Sequence, residues 1–143
     1  MYQHILIALE NSPTDEAVLN HIRPLITTTR AKIMLIHVAD GFVARNQERF
    51  NLEDSEEMRK DREYLDQARA ALEKDGFVVE AVLARGDPPS QIVECAQRAG
   101  CDLIAMSTHG HKFLGDLILG SVATAVRHMT DIPVLLVPAR KKR

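Results

Sequence analysis

Residues 107–121 read Ser107-Thr108-His109-Gly110-His111-Lys112-Phe113-Leu114-Gly115-Asp116-Leu117-Ile118-Leu119-Gly120-Ser121. Gly110, Gly115 and Gly120 stand there among hydroxyl, imidazole and ammonium groups. Glycine lets a backbone approach an anion closely and take positive φ. Val122, Ala125, Val126 and Met129 follow at helical spacing, so Gly120-Ser121 opens a helix. The first N–H groups of such a helix lack internal partners, and with the positive end of the helix dipole they suit phosphate oxygens. The Ser121 hydroxyl can add a hydrogen bond; Lys112 can add charge or stand in solvent. The alternative is that the glycines serve only as turn and cap residues. No G-K-[ST] follows, so this is not a Walker A loop, and the spacing is not G-x-G-x-x-G.

Other reactive side chains form no set of their own. His109 and His111 have no third ligand at metal spacing and no H-E-x-x-H is present, so no metal site is assigned; His109 reads as a loop residue near the phosphates. Asp87 precedes Pro88 in a turn, where aspartate bonds its own backbone, and Asp116 reads as solvated. His37 ends an apolar run and is expected to pack or hydrogen-bond there; His4, His21 and His128 read as structural or solvated. Cys95 and Cys101 make no C-x-x-C and read as small buried thiols. No catalytic residue is assigned.

The elements that must position the glycine segment follow from hydrophobic period. Residues 5–9, Ile5-Leu6-Ile7-Ala8-Leu9, and residues 33–38, ending in His37-Val38, are continuous apolar runs. Such runs suit strands buried on both faces of a parallel sheet. Between them Val18, Ile22, Leu25 and Ile26 recur at helical spacing, with Ser12 or Thr14 as the expected cap. Residues 39–52 show no period and read as a loop. Residues 53–75 are charged, with Met58, Leu65, Ala68 and Leu72 on one face, which predicts a solvated amphipathic helix stopped by Gly76. Residues 77–84 alternate and predict an edge strand. Ser90 is the expected cap of a helix carrying Ile92, Val93 and Ala96 and ended by Gly100. Residues 103–106 and 134–137 are the last two strands.

Strands and helices thus alternate five times over, which predicts an α/β fold: one doubly wound domain over residues 1–143, its five-stranded parallel sheet covered by helices on both faces. The length suits one domain with a core that needs no disulfide or metal. Ligands of such sheets bind beyond the carboxyl ends of the strands, where strand order reverses. That selects residues 9–12, 38–41 and 107–121. A net charge of −2 gives no reason to expect nucleic acid or an anionic membrane as partner. The basic residues of the tail, 138–143, read as a solvated end. No apolar run reaches the length of a membrane span and Met1 leads straight into a strand pattern, so a cytoplasmic protein is expected.

With these residues in view, the chain resembles the universal stress protein family. Nucleotide-binding members carry G-x2-G-x9-G-[ST] between the fourth strand and the fourth helix, and Ser107-x2-Gly110-x9-Gly120-Ser121 has that spacing. Residues 5–12, Leu35-Ile36-His37-Val38, Gly86-Asp87-Pro88, Asp102-Leu103-Ile104-Ala105-Met106 and Pro133-Val134-Leu135-Leu136-Val137 extend the resemblance over nearly the whole chain. It implies a Rossmann-like, adenine nucleotide alpha hydrolase-like sheet of strand order 3-2-1-4-5. It also implies an ATP site, with Ala8, Leu9 and Glu10 toward adenine and ribose and the Val38 backbone at the adenine. Ser107 would lie near the ribose. Gly110, Gly120, Ser121 and Val122 would hold the phosphates, with Met106 and His109 alongside. Magnesium or manganese would accompany the phosphates through water.

Three positions depart from the pattern. Ser107 replaces the first motif glycine, Glu10 replaces an aspartate, and Asn11 replaces a glycine while tolerating left-handed φ. The resemblance implies a nucleotide-binding stress-response module that regulates an unknown protein partner, and a homodimer paired through the last strand. The alternatives are a slow ATP hydrolase or phosphotransferase, and a dimerisation module that holds no ATP or takes AMP or a cyclic nucleotide.

Overall fold

The computed structural model describes residues 1–39, 51–108 and 120–138, the side chains of 51–55 excepted. Nine elements alternate along it: β1 (His4–Ala8), α1 (Thr14–Thr29), β2 (Lys32–Ala39), α2 (Asn51–Lys74), β3 (Val79–Arg85), α3 (Pro88–Ala99), β4 (Leu103–Ser107), α4 (Ser121–Met129) and β5 (Val134–Val137). The strands form one sheet in the order β3-β2-β1-β4-β5, and every pairing is parallel. The expected fold and strand order are therefore found. The reversal of strand order falls between β1 and β4.

Alternation along the central strands divides the core into two layers. Ile5, Ile7 and Leu9 of β1 and its extension point with Ile33 and Leu35 toward α1 and α2, meeting Val18, Ile22, Ile26, Leu65 and Leu72. Leu6, Ala8, Met34 and Ile36 point the other way, toward Ile92, Val93 and Ala96 of α3 and Ala123 and Val126 of α4. The continuous apolar runs of β1 and β2 are thus explained by burial on both faces. β3 lies at an edge, as its alternation predicts.

Element ends show where local signals compete. Gly100 closes α3 with φ 73°, a conformation that costs glycine little. Arg30 closes α1 with φ 58°, although arginine carries no such signature. Pro24 stands inside α1, where its exposed side lets water take the carbonyl that lacks a donor. The cap of α3 is Asp87 and not Ser90: the Asp87 carboxylate accepts from the Ser90 N–H at 3.2 Å and from its hydroxyl at 2.6 Å. An ionised carboxylate is the stronger acceptor, so the serine becomes the donor. Pro13 holds the cap position of α1 without a side-chain bond, and Ser12, one residue earlier, accepts the first N–H of the helix, that of Thr14, at 3.3 Å. Residues 51–52, expected in a loop, already belong to α2, and residues 77–78 lie outside β3. The rest of the expected 39–52 loop beyond Ala39, the 109–119 glycine segment with Lys112, Gly115 and Asp116, and the tail beyond Pro138 lie outside the described residues.

Candidate functional site

The register places Ala8 opposite Ile36 and Ile7 opposite Ala105. Leu9 and Glu10, Val38, and Ser107 therefore emerge together at the carboxyl end of the sheet. Thr108 continues β4 by donating its N–H to the Val137 carbonyl at 3.1 Å. Its own carbonyl accepts from the Gly120 N–H, which draws the start of α4 to the same end. Ala8, Leu9, Glu10, Val38, Met106, Ser107, Gly120, Ser121 and Val122 are thereby gathered around the β1–β4 crevice. His109 and Gly110 lie outside the described residues.

Gly120 precedes α4 with φ −68° and ψ 155°, an extended conformation open to any residue. Its value at this point is therefore the absence of a side chain, not a left-handed φ. Among the described residues no side chain caps α4, since the cap position is held by Gly120. The Gly120 carbonyl is taken by the Thr124 N–H and hydroxyl, each at 3.1 Å, and the first amides of the helix have no acceptor within the helix itself. Ser121 is exposed and Val122 half-buried beside it.

The opposite wall is the turn after β1. Leu9 is 3% exposed and its side chain packs in the core, so only its backbone faces the crevice. Its N–H donates to the Ile36 carbonyl at 2.8 Å. Its carbonyl accepts from Nδ1 of His37 at 2.9 Å, which places a hydrogen on Nδ1 because a carbonyl can only accept. Asn11 takes φ 59°, the left-handed conformation expected of it. The Glu10 carboxylate accepts from the Thr14 hydroxyl at 3.2 Å, which holds it back along α1.

Asp15 organises this turn from below. It is 2% exposed, and its carboxylate accepts from the N–H groups of Glu10 at 2.8 Å, Asn11 at 2.8 Å and Ser12 at 3.3 Å. Successive amides that converge in this way form an anion-binding concavity, and here the chain's own carboxylate fills it. Asp15 also sits in the first turn of α1, where the helix dipole favours negative charge. The hydroxyl of Tyr64 on α2 donates to the same carboxylate. Burial, then that hydrogen bond, then the charge of Asp15 push the Tyr64 phenol well above its ordinary range. The nearest sequence signal for Asp15 is the Ser12-x-x-Asp15 spacing of a capping box; nothing in the sequence marks Tyr64.

Asp61 completes the lattice. Its Oδ2 lies 3.4 Å from Nε2 of His37, and its Oδ1 accepts from the Asn11 side-chain amide at 3.1 Å. The charged run of α2 is therefore not wholly a solvated face: Asp61 turns in toward the sheet. His37 hydrogen-bonds as expected, and His4, read as structural or solvated, has its Nδ1 3.1 Å from the Ala99 carbonyl. His21 and His128 are exposed. A groove between α1 and α2, lined by Glu16, Arg23, Tyr64 and Gln67 among others, lies beside this lattice on the helical face and not at the strand ends. Cys95 and Cys101 are free and buried. Among the described residues no group of three or more His, Cys, Asp or Glu could hold a metal ion, and no helix is long and apolar enough to cross a membrane.

Comparison with known proteins agrees with the fold. The model of the universal stress protein family matches residues 1–138. Universal stress protein MJ0577 of Methanocaldococcus jannaschii is 29% identical, over 96% of this chain and 95% of its own length. The solved structure of MJ0577 superposes with a TM-score of 0.87 at 31% identity, covering 100% of this chain and 99% of that one. A universal stress protein of Archaeoglobus fulgidus solved in complex with dAMP shares the fold, with a TM-score of 0.70 at 24% identity over 95% of this chain and 98% of its own.

Proposed function

The chain belongs to the universal stress protein family, and from that premise we propose that it binds an adenine nucleotide, ATP foremost, in the crevice between β1 and β4. One observation carries the reading: the start of α4, where Gly120 holds the cap position without a side chain, is tied to the end of β4 at the reversal of strand order. Helix amides with no side chain in front of them suit phosphate oxygens. The amides of the opposite turn are already taken by Asp15, which leaves that wall to the nucleoside. The spacing of Ser107, Gly110, Gly120 and Ser121 supports the same assignment. So does the dAMP complex of a protein with this fold.

In this reading the phosphates lie at Gly110, Gly120, Ser121 and Val122, with Met106 and His109 beside them. The nucleoside lies against Ala8, Leu9, Glu10, Val38 and Ser107. Magnesium or manganese fits as an ion held by the phosphates through water, since the first amides of α4 bind oxygen and not metal. Occupancy would alter a surface that a protein partner reads in the cytoplasm, and β5, an edge strand with Val134, Leu135 and Leu136 only half-buried, supplies the pairing edge of a homodimer. Calorimetric titration with ATP and magnesium, on protein freed of co-purified ligand, tests the reading. Saturable heat with a thermal shift is expected; neither at millimolar ATP would remove it.

A further inference from the structure

We propose that Asp15, His37, Asp61 and Tyr64 are positioning residues, through which α2 holds the turn after β1 as the nucleoside wall of the site. The inference rests on the adenine-nucleotide reading above and adds to it the part of the molecule that sets the shape of that wall.

The turn does not hold itself. Asn11 adopts a left-handed φ that L-residues populate sparingly. Three successive amides point inward, and without a partner each would cost free energy. Asp15 satisfies all three, and the Tyr64 hydroxyl fixes the rotamer of Asp15. Asp61, three residues earlier and so on the same side of α2, reaches the turn by a second route. One of its oxygens bonds the side chain of Asn11; the other faces His37, whose opposite nitrogen holds the Leu9 carbonyl. The backbone of residues 9–12 is thus gripped from one helix at two points.

The direction of the effect follows from which groups are engaged. The lattice occupies the amides of Glu10, Asn11 and Ser12, so this turn presents no donor cradle to phosphate. The amides at the start of α4 belong to another element, on the other face of the sheet. Loosening the lattice should therefore weaken what touches the nucleoside and spare what touches phosphate. General destabilisation would not divide the ligand in this way.

The test is calorimetry on the full chain, as wild type, Tyr64→Phe and Asp61→Asn, with ATP–magnesium and with tripolyphosphate as probes. Hydrogen exchange at amides 10–12 and 121–123 is the second measurement. Tyr64→Phe removes one oxygen and Asp61→Asn one charge, so either variant serves if the other folds poorly. The expected result is a loss of ATP affinity of about tenfold, unchanged tripolyphosphate affinity, and faster exchange at amides 10–12 only. Unchanged ATP affinity in both variants overturns the inference while leaving the nucleotide reading intact. An equal loss for tripolyphosphate, or exchange that rises equally at both sets of amides, overturns it as well. A wild-type protein that binds no ATP would remove the nucleotide reading itself.

Discussion

Tyr64 and Asp15 stand 49 residues apart in the chain, and the hydroxyl of the first donates to the carboxylate of the second beneath the turn that follows β1. The contact fastens α2 to the N-terminus of α1. It also makes the protonation of Tyr64 part of the fold's stability. Burial raises the phenol first, and the bond to Asp15 and its charge raise it further. A group whose folded-state pKa is raised stabilises fully below its unfolded value, near 10 for tyrosine, and ceases to as pH climbs through the folded value. At pH 8 Tyr64→Phe should be less stable by about 1–3 kcal/mol. That gap should narrow above about pH 10. Urea unfolding of both proteins across pH 8 to 11 measures it, and a gap that stays constant would show that the hydroxyl does not couple to Asp15.

The two thiols should be inert while the protein is folded. Burial above all, and then the neighbouring Cys95, Asp102 and Glu80, push Cys101 up to about 12. Cys95 is raised by burial against a partial opposing effect of Arg98. Since the thiolate is the reactive form, Ellman's reagent at pH 8 should react on the order of 100-fold more slowly than in urea. The sign is that of Tyr64: this stabilisation is whole below about pH 9 and declines as pH rises toward 12. Native rates equal to those in urea would contradict the burial.

Capping of α3 separates the roles of two polar residues three positions apart. Asp87→Ala deletes the acceptor of both Ser90 bonds and should cost about 1 kcal/mol. Ser90→Ala deletes only a donor beside an exposed carboxylate and should cost less, within about 0.5 kcal/mol. Denaturant midpoints decide, and the reverse ranking would restore Ser90 as the cap.

At the proposed phosphate end, Gly120→Val tests space and not backbone strain. The extended φ and ψ of Gly120 are ones that valine prefers. Stability should change by no more than about 1 kcal/mol, while ATP affinity falls at least about 100-fold because the side chain stands before the amides of α4. Calorimetry with a parallel melting curve checks both halves; full affinity in the variant would place the phosphates elsewhere.

Much of the architecture was legible because period 2 and period 3.6 are local properties of a chain. The unbroken runs at residues 5–9 and 33–38 suited strands buried on both faces, and the alternation near Glu80 marked an edge. The topology rule singled out the glycine segment as the candidate ligand end. Caps were read less well: Asp87 outcompeted Ser90 through charge, and Arg30 took a left-handed conformation for which its side chain gives no cue.

What the sequence determined by itself was the alternation of elements, hence the parallel doubly wound sheet, and the end of that sheet proposed here for a ligand. What only the tertiary structure decided was the partnership of Asp15 with Tyr64 and of Asp61 with His37 and Asn11. Helical period shows which side of α2 faces inward. It does not show what that side meets, because the meeting depends on how far along the sheet the helix lies and how it is rotated. Asp61 falls on the Met58, Leu65, Ala68 and Leu72 stripe of that helix, so period turns it inward; that it meets His37 and Asn11 there is decided only by packing against the ends of β1 and β2.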